Sequence, residues 1–246
     1  MQIDPPMRRD PQQRIGELLP KGNHHQARGL QRLQRGENLG GVGVLRPRQR
    51  HAPGQHYLIR LRAPDGYTAQ RSYSVASDDD DPLLEFLVER LPGGEVSEFL
   101  ADVAEVGDVV ELRGPIGRWF VWDCRTPALC LVGGTGVVPA VAMVRTARRL
   151  GQACQLTVVA VARTPELLPY LEEVRGVGAT VVFTRHEDGR RPAGALTREE
   201  LRPLLAQGQL VFVCGSSRFA EYAVTLLLGC GVDPAVIRVE QFGATG

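Results

Sequence analysis

The second half of the chain alternates short apolar runs with longer amphipathic stretches. The apolar runs have the length and β-branched content of buried strands, and they read ALCLV, LTVVAVA, ATVVFTR, LVFVC and VIRVE. Stretches with the period of a helix lie between them and read VVPAVAMVRTARRL, PELLPYLEEV, LTREELRPLLAQ and SRFAEYAVTLLLG. Thr197 and Glu200 have the spacing of a capping box. Strands that alternate with helices predict an α/β domain over residues 126–246, with a doubly wound parallel sheet covered on both faces.

The region ahead of it, residues 53–125, has short strands separated by turns. The pattern predicts strands over 57–62, 69–76 and 84–90, and a further strand within the run GDVVELRGPIGRWFVW. A PDG turn and the acidic run DDDDP separate some of them. Several short strands in series predict an all-β domain, an antiparallel barrel or sandwich of modest size. At 246 residues the chain is long enough for two domains with a core each.

Residues 1–52 fit neither pattern. They contain no Phe, Trp or Tyr and carry ten Lys or Arg against four Asp or Glu, whereas the rest of the chain is net acidic. The run QARGLQRLQR is compatible with one or two helical turns, and GVGVL is compatible with a short strand. The segment is otherwise predicted to be disordered or poorly packed, with its charge on a solvated face. The acidic main body gives nucleic-acid binding no support.

Neither a membrane span nor a cysteine-bound metal centre is predicted. No apolar run approaches the length of a transmembrane helix, and the N-terminus lacks the apolar core of a signal peptide, so we expect a cytoplasmic protein. The cysteines are odd in number and lack the close spacing of a zinc or iron–sulfur site, which predicts reduced thiols. They are Cys124, Cys130, Cys154, Cys214 and Cys230.

The run RSYS places a cation and an aromatic ring two residues apart in a predicted strand. Arg71 and Tyr73 therefore share one face of the strand, while Ser72 and Ser74 share the other. Arginine offers forked donors to phosphate and tyrosine offers a stacking surface, so the pair suits a ligand with a phosphate at one end and a flat ring at the other. The same residues are equally compatible with an ordinary cross-strand pair on a half-solvated sheet.

Two glycine-rich stretches are candidate anion sites. In PGGEVSEFL, Ser97 stands where a short helix is predicted to begin, and free N–H groups at a helix start can hold a phosphate. A plain turn with an N-cap is the alternative. In LVGGTGVVP, Gly133, Gly134 and Gly136 lie between the first strand and the first helix of the α/β half, where such sheets bind nucleotides. Since a tight strand-to-helix turn needs glycine in any case, this motif alone does not establish a nucleotide-binding site.

Six motifs in a shared order make the chain resemble the ferredoxin–NADP reductase family, in which a flavin-binding barrel precedes a nicotinamide-nucleotide domain. They are RSYS, PGGEVS, GDVVELRGPIG, GGTGVVP, CGSSRF and VEQFG. The matching part begins at residue 53 and covers about four-fifths of the chain. The resemblance implies a stand-alone reductase without an iron–sulfur domain. Hydride would pass from NAD(P)H to FAD, and electrons would leave to a separate acceptor protein, such as a ferredoxin, a haem protein or an oxygenase component.

The resemblance also implies a role for each matching residue of the flavin half. Arg71 would bind the phosphates of FAD, and Tyr73 would stack on the isoalloxazine ring. The hydroxyl of Ser74 would hydrogen-bond the ring nitrogen that receives the hydride. Gly94 and Ser97 would hold the FAD pyrophosphate.

In the second half the resemblance implies a site for the nicotinamide nucleotide. Its glycine loop consists of Gly134, Thr135 and Gly136. Cys214, as a catalytic residue, and Gly215 would border the nicotinamide ring. Glu240 and Phe242 would lie near the flavin from the far side, with Glu240 as a proton relay.

The choice between NADP and NAD depends on charge near the ribose. The run TRHEDGRR follows the third strand of the α/β half, where NADP-using members of the family carry a hydroxyl–arginine pair. Thr184 and Arg185, with Arg190 or Arg191, would clamp a 2′-phosphate by charge-assisted hydrogen bonds, which slightly favours NADP. A solvated basic loop is the alternative.

The chain departs from the family ahead of residue 53. Members of the family begin the barrel with two β-rich strands, but here only GVGVL is strand-like. Our hypothesis is that residues 1–52 are not a native barrel start, through a shifted reading frame or a wrong start site; a native segment would put FAD affinity in doubt. Two alternative functions stay open, a catalytically impaired flavin- or nucleotide-binding subunit and a simple nicotinamide dehydrogenase. The second lacks a Tyr-x-x-x-Lys pair and leaves RSYS unexplained.

Overall fold

Antiparallel strands make up the first part of the fold and a parallel sheet makes up the second. The structure is a computed structural model that describes residues 50–81, 83–105, 108–189 and 191–242, and the backbone of residues 30–34. Within these ranges the first part contains a three-stranded and a two-stranded antiparallel sheet, and the second contains a five-stranded parallel sheet with helices. The predicted fold class, an all-β domain followed by a doubly wound α/β domain, is confirmed.

The all-β part has five strands, which are β1 Leu30–Gln34, β2 His56–Arg62, β3 Thr68–Ser74, β4 Leu83–Leu87 and β5 Glu111–Ile116. In its main sheet β2 lies between β3 and β5. The second sheet consists of β1 and β4, and a bridge between Val75 and Phe86 connects the end of β3 to it. Alternate residues of β2 are buried, so Tyr57, Ile59 and Leu61 enter one apolar core with Phe86. The strand that carries RSYS is therefore hydrogen-bonded on one side to β2 and continues into contact with β4.

A short helix follows β4. Helix α1 covers Glu95–Glu98 and continues into a π-helical turn over Phe99–Val103. Val96 and Leu100 bury their side chains in the core of the all-β part, which fixes the loop ahead of the helix. The helix begins two residues before Ser97, not at Ser97 as the sequence predicted.

The α/β part has five parallel strands in the order β10-β9-β6-β7-β8. They are β6 Ala128–Gly133, β7 Leu156–Ala162, β8 Thr180–Phe183, β9 Leu210–Ser216 and β10 Ile237–Phe242. The helices are α2 Val137–Arg149, α3 Leu171–Arg175, α4 Arg198–Leu201 and α5 Ser217–Gly229. Alternate residues of β6 enter opposite cores, Cys130 and Val132 with α2 and Leu129 and Leu131 with α5. The strand order reverses between β6 and β9, which creates the crevice where such sheets bind ligands.

Two local predictions are wrong. The run QARGLQRLQR was compatible with helical turns, but Leu30–Gln34 is a strand paired antiparallel with β4. The strand predicted at GVGVL lies outside the described residues. The run PELLPYLEEV is not one helix, because a 3-10 turn over Pro165–Leu167 is separated from α3 by extended Leu168. Pro169 disfavours a helical conformation at the residue before it, which explains the interruption.

Three further findings concern the described residues. None of their helices is both long enough and apolar enough to cross a membrane. They contain no group of three or more His, Cys, Asp or Glu side chains placed to hold a metal ion. All five cysteines are free thiols, three of them buried.

Candidate active site

The end of β3 carries a buried hydroxyl, that of Ser74. Ser74 is 7% exposed, and its Oγ has no hydrogen-bond partner among the described residues. Tyr73 is half-buried, and burial raises its pKa to about 12 against the opposing effect of the Arg71 charge. Arg71 is exposed, and its Nη1 donates to the carbonyl oxygen of Gln70 at 2.8 Å. The strand therefore offers an exposed cation, a neutral aromatic ring and an unused buried hydroxyl within four residues.

The loop that precedes α1 is closed by its own hydrogen bonds. The Ser97 hydroxyl donates to the Gly94 carbonyl at 3.1 Å and accepts from the Leu91 N–H at 3.3 Å. A Cβ at Gly94 would overlap the Ser97 Oγ, so this position requires glycine. Ser97 is buried and shapes the loop from inside, whereas the sequence suggested a hydroxyl presented to an anion.

An acidic side chain already uses one N–H of this loop. Glu98 accepts from the Gly93 N–H at 3.2 Å and pairs with Arg90, whose Nη2 lies 3.2 Å away. The other acid of the helix, Glu95, accepts from the Tyr67 hydroxyl at 2.7 Å. The two carboxylates of α1 are thus held by protein donors at the loop predicted to bind pyrophosphate.

At the switch point of the parallel sheet two loops touch through their backbones. The glycine loop follows β6 as a 3-10 turn over Gly134–Gly136 and leads directly into α2. A Cβ at Gly136 would overlap the carbonyl oxygen of Cys214, which is buried near the end of β9. The structure therefore brings together the two motifs that the sequence assigned to the nicotinamide nucleotide. Only a glycine permits this approach of the two chains.

Strand β10 adds an acid to this group. Glu240 lies opposite Cys214 in the β10–β9 register, and Phe242 lies opposite Ser216. Burial raises the pKa of Glu240 to about 7. Burial also raises the pKa of the Cys214 thiol well above its usual range, and the Glu240 carboxylate adds to the effect. Cys214 is thus a neutral thiol at neutral pH rather than a thiolate nucleophile.

The residues predicted to clamp a 2′-phosphate follow β8, two strands away from the glycine loop. The Thr184 and Arg185 amides donate to the carbonyls of Ala162 and Arg163, both at 2.9 Å, which continues the pairing of β8 with β7. Arg185 is exposed. Arg191 instead binds the Glu200 carboxylate and donates to the carbonyls of Pro192, Gly194 and Ala195. Arg190 lies outside the described residues.

A cluster of three charged residues and a tyrosine between the two parts of the molecule was not found from the sequence. We call it the Arg145 cluster, and it consists of Arg145, Glu85, Tyr170 and Glu173. Arg145 on α2 reaches the buried Glu85 of β4 at 3.1 Å and Glu173 of α3 at 2.8 Å. The sequence did contain a signal, because Glu85 and Arg145 are charged residues inside the apolar runs LLEFLV and VAMVRTA.

Comparison with known proteins gives a family match for the all-β part. Residues 45–121 match the family model described as the oxidoreductase FAD-binding domain. The chain is 28% identical over 201 residues to the toluate 1,2-dioxygenase electron transfer component of Pseudomonas putida, covering 78% of this chain and 59% of the relative. It is 27% identical to the ferredoxin–NAD(P)(+) reductase component of the naphthalene 1,2-dioxygenase system of the same species, covering 78% and 60%. The chain thus spans about three-fifths of the length of these curated relatives.

Solved structures extend the match to both parts of the fold. The flavohem-like FAD/NAD-binding domain of nitric oxide dioxygenase from Vibrio cholerae superposes with a TM-score of 0.69 at 24% identity. The alignment covers 79% of this chain and 86% of that domain. At this identity the match establishes the fold. Together with the FAD-binding segment, it confirms the resemblance to the ferredoxin–NADP reductase family.

Proposed function

We propose that this ferredoxin–NADP reductase-like chain takes hydride from NAD(P)H onto FAD and passes electrons to a separate acceptor protein. The observation that carries the proposal is the Ser74 hydroxyl, which is buried within the FAD-binding segment and has no partner among the described residues. An unpaired buried hydroxyl is costly, so a ligand atom that completes its hydrogen bond is expected. The flavin ring nitrogen that receives hydride is such an atom.

The residues at the two sites fit the cofactors that the fold implies. When bound, FAD supplies the chemistry, because it accepts a hydride and can release electrons singly. Arg71 would bind its phosphates and Tyr73 would cover its ring. Gly94 permits the closed loop that would lie against the pyrophosphate, and the Gly93 N–H, which here donates to the Glu98 carboxylate, would donate to a phosphate oxygen instead. The protein's contribution is to orient two rings and to exclude water between them.

The second site would hold the nicotinamide nucleotide at the switch point. Gly134, Thr135 and Gly136 form the turn that leads into α2, and their N–H groups would donate to a phosphate at the start of this helix. The neutral Cys214 thiol and Gly215 would border the ring. Glu240 would hold or give a proton at its carboxyl oxygen, since its pKa of about 7 lets both forms exist near neutral pH. Phe242 would close the flavin from the far side.

The proposed preference for NADPH over NADH depends on a small set of residues. Thr184 and Arg185 stay available for a 2′-phosphate, whereas Arg191 is committed to Glu200 and to three carbonyls. Arg185 is therefore the cation that we assign to the discrimination between NADPH and NADH. Replacing it with alanine should weaken binding of NADPH by about tenfold, the equivalent of one charge-assisted hydrogen bond. Affinity for NADH should stay the same, and the exposed Arg202→Ala variant should change neither.

The acceptor is proposed by analogy with the relatives. Their names describe electron transfer components of dioxygenases, and on that basis an oxygenase component is the acceptor class that we favour. A ferredoxin or a haem protein remains compatible with the same flavin site. The cytoplasmic location stays a prediction from the sequence.

The experiment that tests the proposed function is the visible spectrum of the purified protein with added FAD, recorded without oxygen. We expect bound flavin with its absorption bands, and loss of those bands when NADPH or NADH is added. A flavin that binds but is not bleached by either nucleotide would support the catalytically impaired subunit instead. A protein that binds no flavin would contradict both readings of the FAD-binding segment.

A further inference from the structure

The Arg145 cluster joins the strand predicted to bind flavin to the helix that follows the glycine loop. On the flavin side its member is Glu85, which is 3% exposed. The Glu85 carbonyl accepts from the Ala76 N–H at 2.8 Å, and its own N–H donates to the Ser77 hydroxyl at 3.1 Å. Ala76 lies two residues after Ser74 on the same chain. The backbone of Glu85 therefore holds the continuation of the RSYS strand.

On the nucleotide side the cluster is attached to a rigid helix. Helix α2 begins directly after Gly136 and carries Arg145 two turns further on. The Arg145 Nη1 donates to the Glu85 carboxylate and to the Ala76 carbonyl, both at 3.1 Å. Its Nε and Nη2 donate to the Glu173 carboxylate at 2.8 and 2.9 Å. One guanidinium thus contacts Ala76, two residues after the RSYS strand, together with β4 and helix α3.

Tyr170 adds a third link to Glu85. Its hydroxyl donates to the Glu85 Oε1 at 2.9 Å, and the Arg145 guanidinium lies 5.4 Å from its ring centroid. Tyr170 has a left-handed backbone with φ 57°, a conformation that costs a non-glycine residue free energy. Although burial alone would lower the pKa of Arg145, its hydrogen bonds to Glu173 and Glu85 hold that pKa above its usual range.

A buried charged cluster is a weak source of net stability, because desolvation of the charges offsets their attraction. What such a cluster can supply is a single geometry, since its forked hydrogen bonds are satisfied at one arrangement of the partners. Hydride transfer depends on geometry of this kind, and small displacements of two reacting rings reduce the rate steeply.

We propose that Arg145, with Glu85 and Tyr170, is a positioning residue that sets the glycine loop against the RSYS strand and so fixes the distance between the two cofactor rings. The expected effect on the rate of hydride transfer rests on the proposed function. The expected coupling between Ala76 and α2 rests on the structure alone. Arg145 touches neither cofactor in this account. Its effect passes through Ala76 to Ser74 on one side and through α2 to Gly136 on the other.

The test uses two variants and one control. Arg145→Met keeps the length of the side chain but removes its donors and leaves the Glu85 carboxylate with one fewer partner. Because that variant risks unfolding, the double variant Glu85→Gln with Arg145→Met removes both charges and keeps an acceptor for the Tyr170 hydroxyl. Arg175→Met is the matched control, since Arg175 pairs with the exposed Glu172 on the surface of α3.

Two readouts separate positioning from stability. The first is the rate of flavin bleaching in a single turnover of the FAD-loaded protein at saturating nucleotide, with nucleotide affinity and the unfolding midpoint measured on the same samples. We expect the double variant to unfold near the wild-type midpoint and to bind nucleotide with an affinity within about threefold of wild type. Its flavin should be bleached more slowly than that of the wild type, by a factor of about ten or more. A double variant that folds and bleaches at the wild-type rate would overturn the proposal.

The second readout needs no bound cofactor. Hydrogen exchange at the Ala76 amide and along the second half of α2 should be faster in both Arg145 variants than in the wild type and in Arg175→Met. Unchanged exchange at these amides would overturn the proposal even if the wild-type protein proves not to reduce flavin. A wild type that binds FAD without bleaching, combined with faster exchange in the variants, would instead reject the proposed function and keep the mechanical coupling.

Discussion

The two proposed cofactor sites are built from different parts of the chain. The proposed nicotinamide site is made by backbone, because Gly136 packs directly on the carbonyl of Cys214 where β6 and β9 end. The proposed flavin site is made by side chains on one strand, with an exposed Arg71, a half-buried Tyr73 and a buried Ser74. Backbone atoms of the protein already pack against each other at the first site, whereas at the second the Ser74 hydroxyl has no hydrogen-bond partner among the described residues.

This difference determines what a substitution does at each site. A Cβ added at the proposed nicotinamide site would force one of the two loops to shift. Both the affinity for the nucleotide and the stability of the protein should therefore fall. At the proposed flavin site, removal of the Ser74 hydroxyl deletes a group that has no hydrogen-bond partner among the described residues. The loss should therefore affect cofactor binding and not the stability of the apoprotein.

Gly136→Ala should have the largest effect. The added methyl group would overlap the Cys214 carbonyl, so the glycine loop must shift. We expect the rate of flavin bleaching by NAD(P)H to fall by about 100-fold, and stability to fall by about 1–3 kcal/mol, the usual range for overpacking. Stopped-flow absorbance and denaturant titration measure the two effects.

Gly194→Ala is the control for that variant. Gly194 also lies in the α/β part, but a Cβ there meets no atom within 4 Å. Its bleaching rate should match that of the wild type. Equal losses in both variants would show that the contact between the two loops is unimportant.

Ser74→Ala should slow the reaction without weakening the apoprotein. Its Oγ has no partner among the described residues, so the free energy of unfolding should be unchanged or slightly higher. The bleaching rate should fall by about tenfold, the value of one hydrogen bond made to the flavin. Ser72→Ala, two residues earlier on an exposed position, should leave the rate unaltered. A loss of stability in Ser74→Ala would mean that the hydroxyl is used inside the protein.

The pH dependence of Glu240 gives an effect on stability with a defined sign. Burial raises its pKa from 4.5 in the unfolded chain to about 7, so between these values the folded state binds more protons. The contribution of this group is therefore fully present below pH 4.5 and is lost as the pH rises through about 7. Denaturant titrations of wild type and Glu240→Gln across this range should show a decline in wild type that the variant lacks. A parallel course of the two curves would contradict the assignment.

Thr197→Ala should have the smallest effect and no functional one. The Thr197 hydroxyl and the Glu200 carboxylate form a capping box at the start of α4, away from both loops. Its loss should lower the free energy of unfolding by about 1 kcal/mol. Affinity for the nucleotide should be unchanged in a fluorescence titration, since stability and the site are separate here. A weakened affinity would mean that the site depends on general stability.

The α/β part was predictable from the sequence because its signals are local. The strand Leu156–Ala162 and the helix Ser217–Gly229 occupy the residues predicted, and the capping box at Thr197 is formed. Apolar periodicity and turn glycines specify such elements without reference to distant residues. The meeting of the glycine loop with Cys214 agrees with the resemblance to the family, which implied that both lie at the nicotinamide nucleotide.

The remaining features depend on contacts that a linear pattern does not contain. Leu30–Gln34 is polar in composition and becomes a strand only by pairing with β4. The helix begins at Glu95, two residues earlier than predicted. Because of this shift, the Ser97 hydroxyl points into the preceding loop and donates to the Gly94 carbonyl. The link between Arg145 and Glu85 joins residues 60 positions apart and has no motif.

The most direct test of this account is single-turnover bleaching of the FAD-loaded protein by nucleotide with deuterium in place of both hydrogens at C4 of the nicotinamide. If the two rings meet as proposed, hydride transfer is direct, and bleaching at saturating nucleotide should be slower with the deuterated donor than with the ordinary one. A flavin that binds to the protein and keeps its absorption bands with both NADPH and NADH would contradict the account.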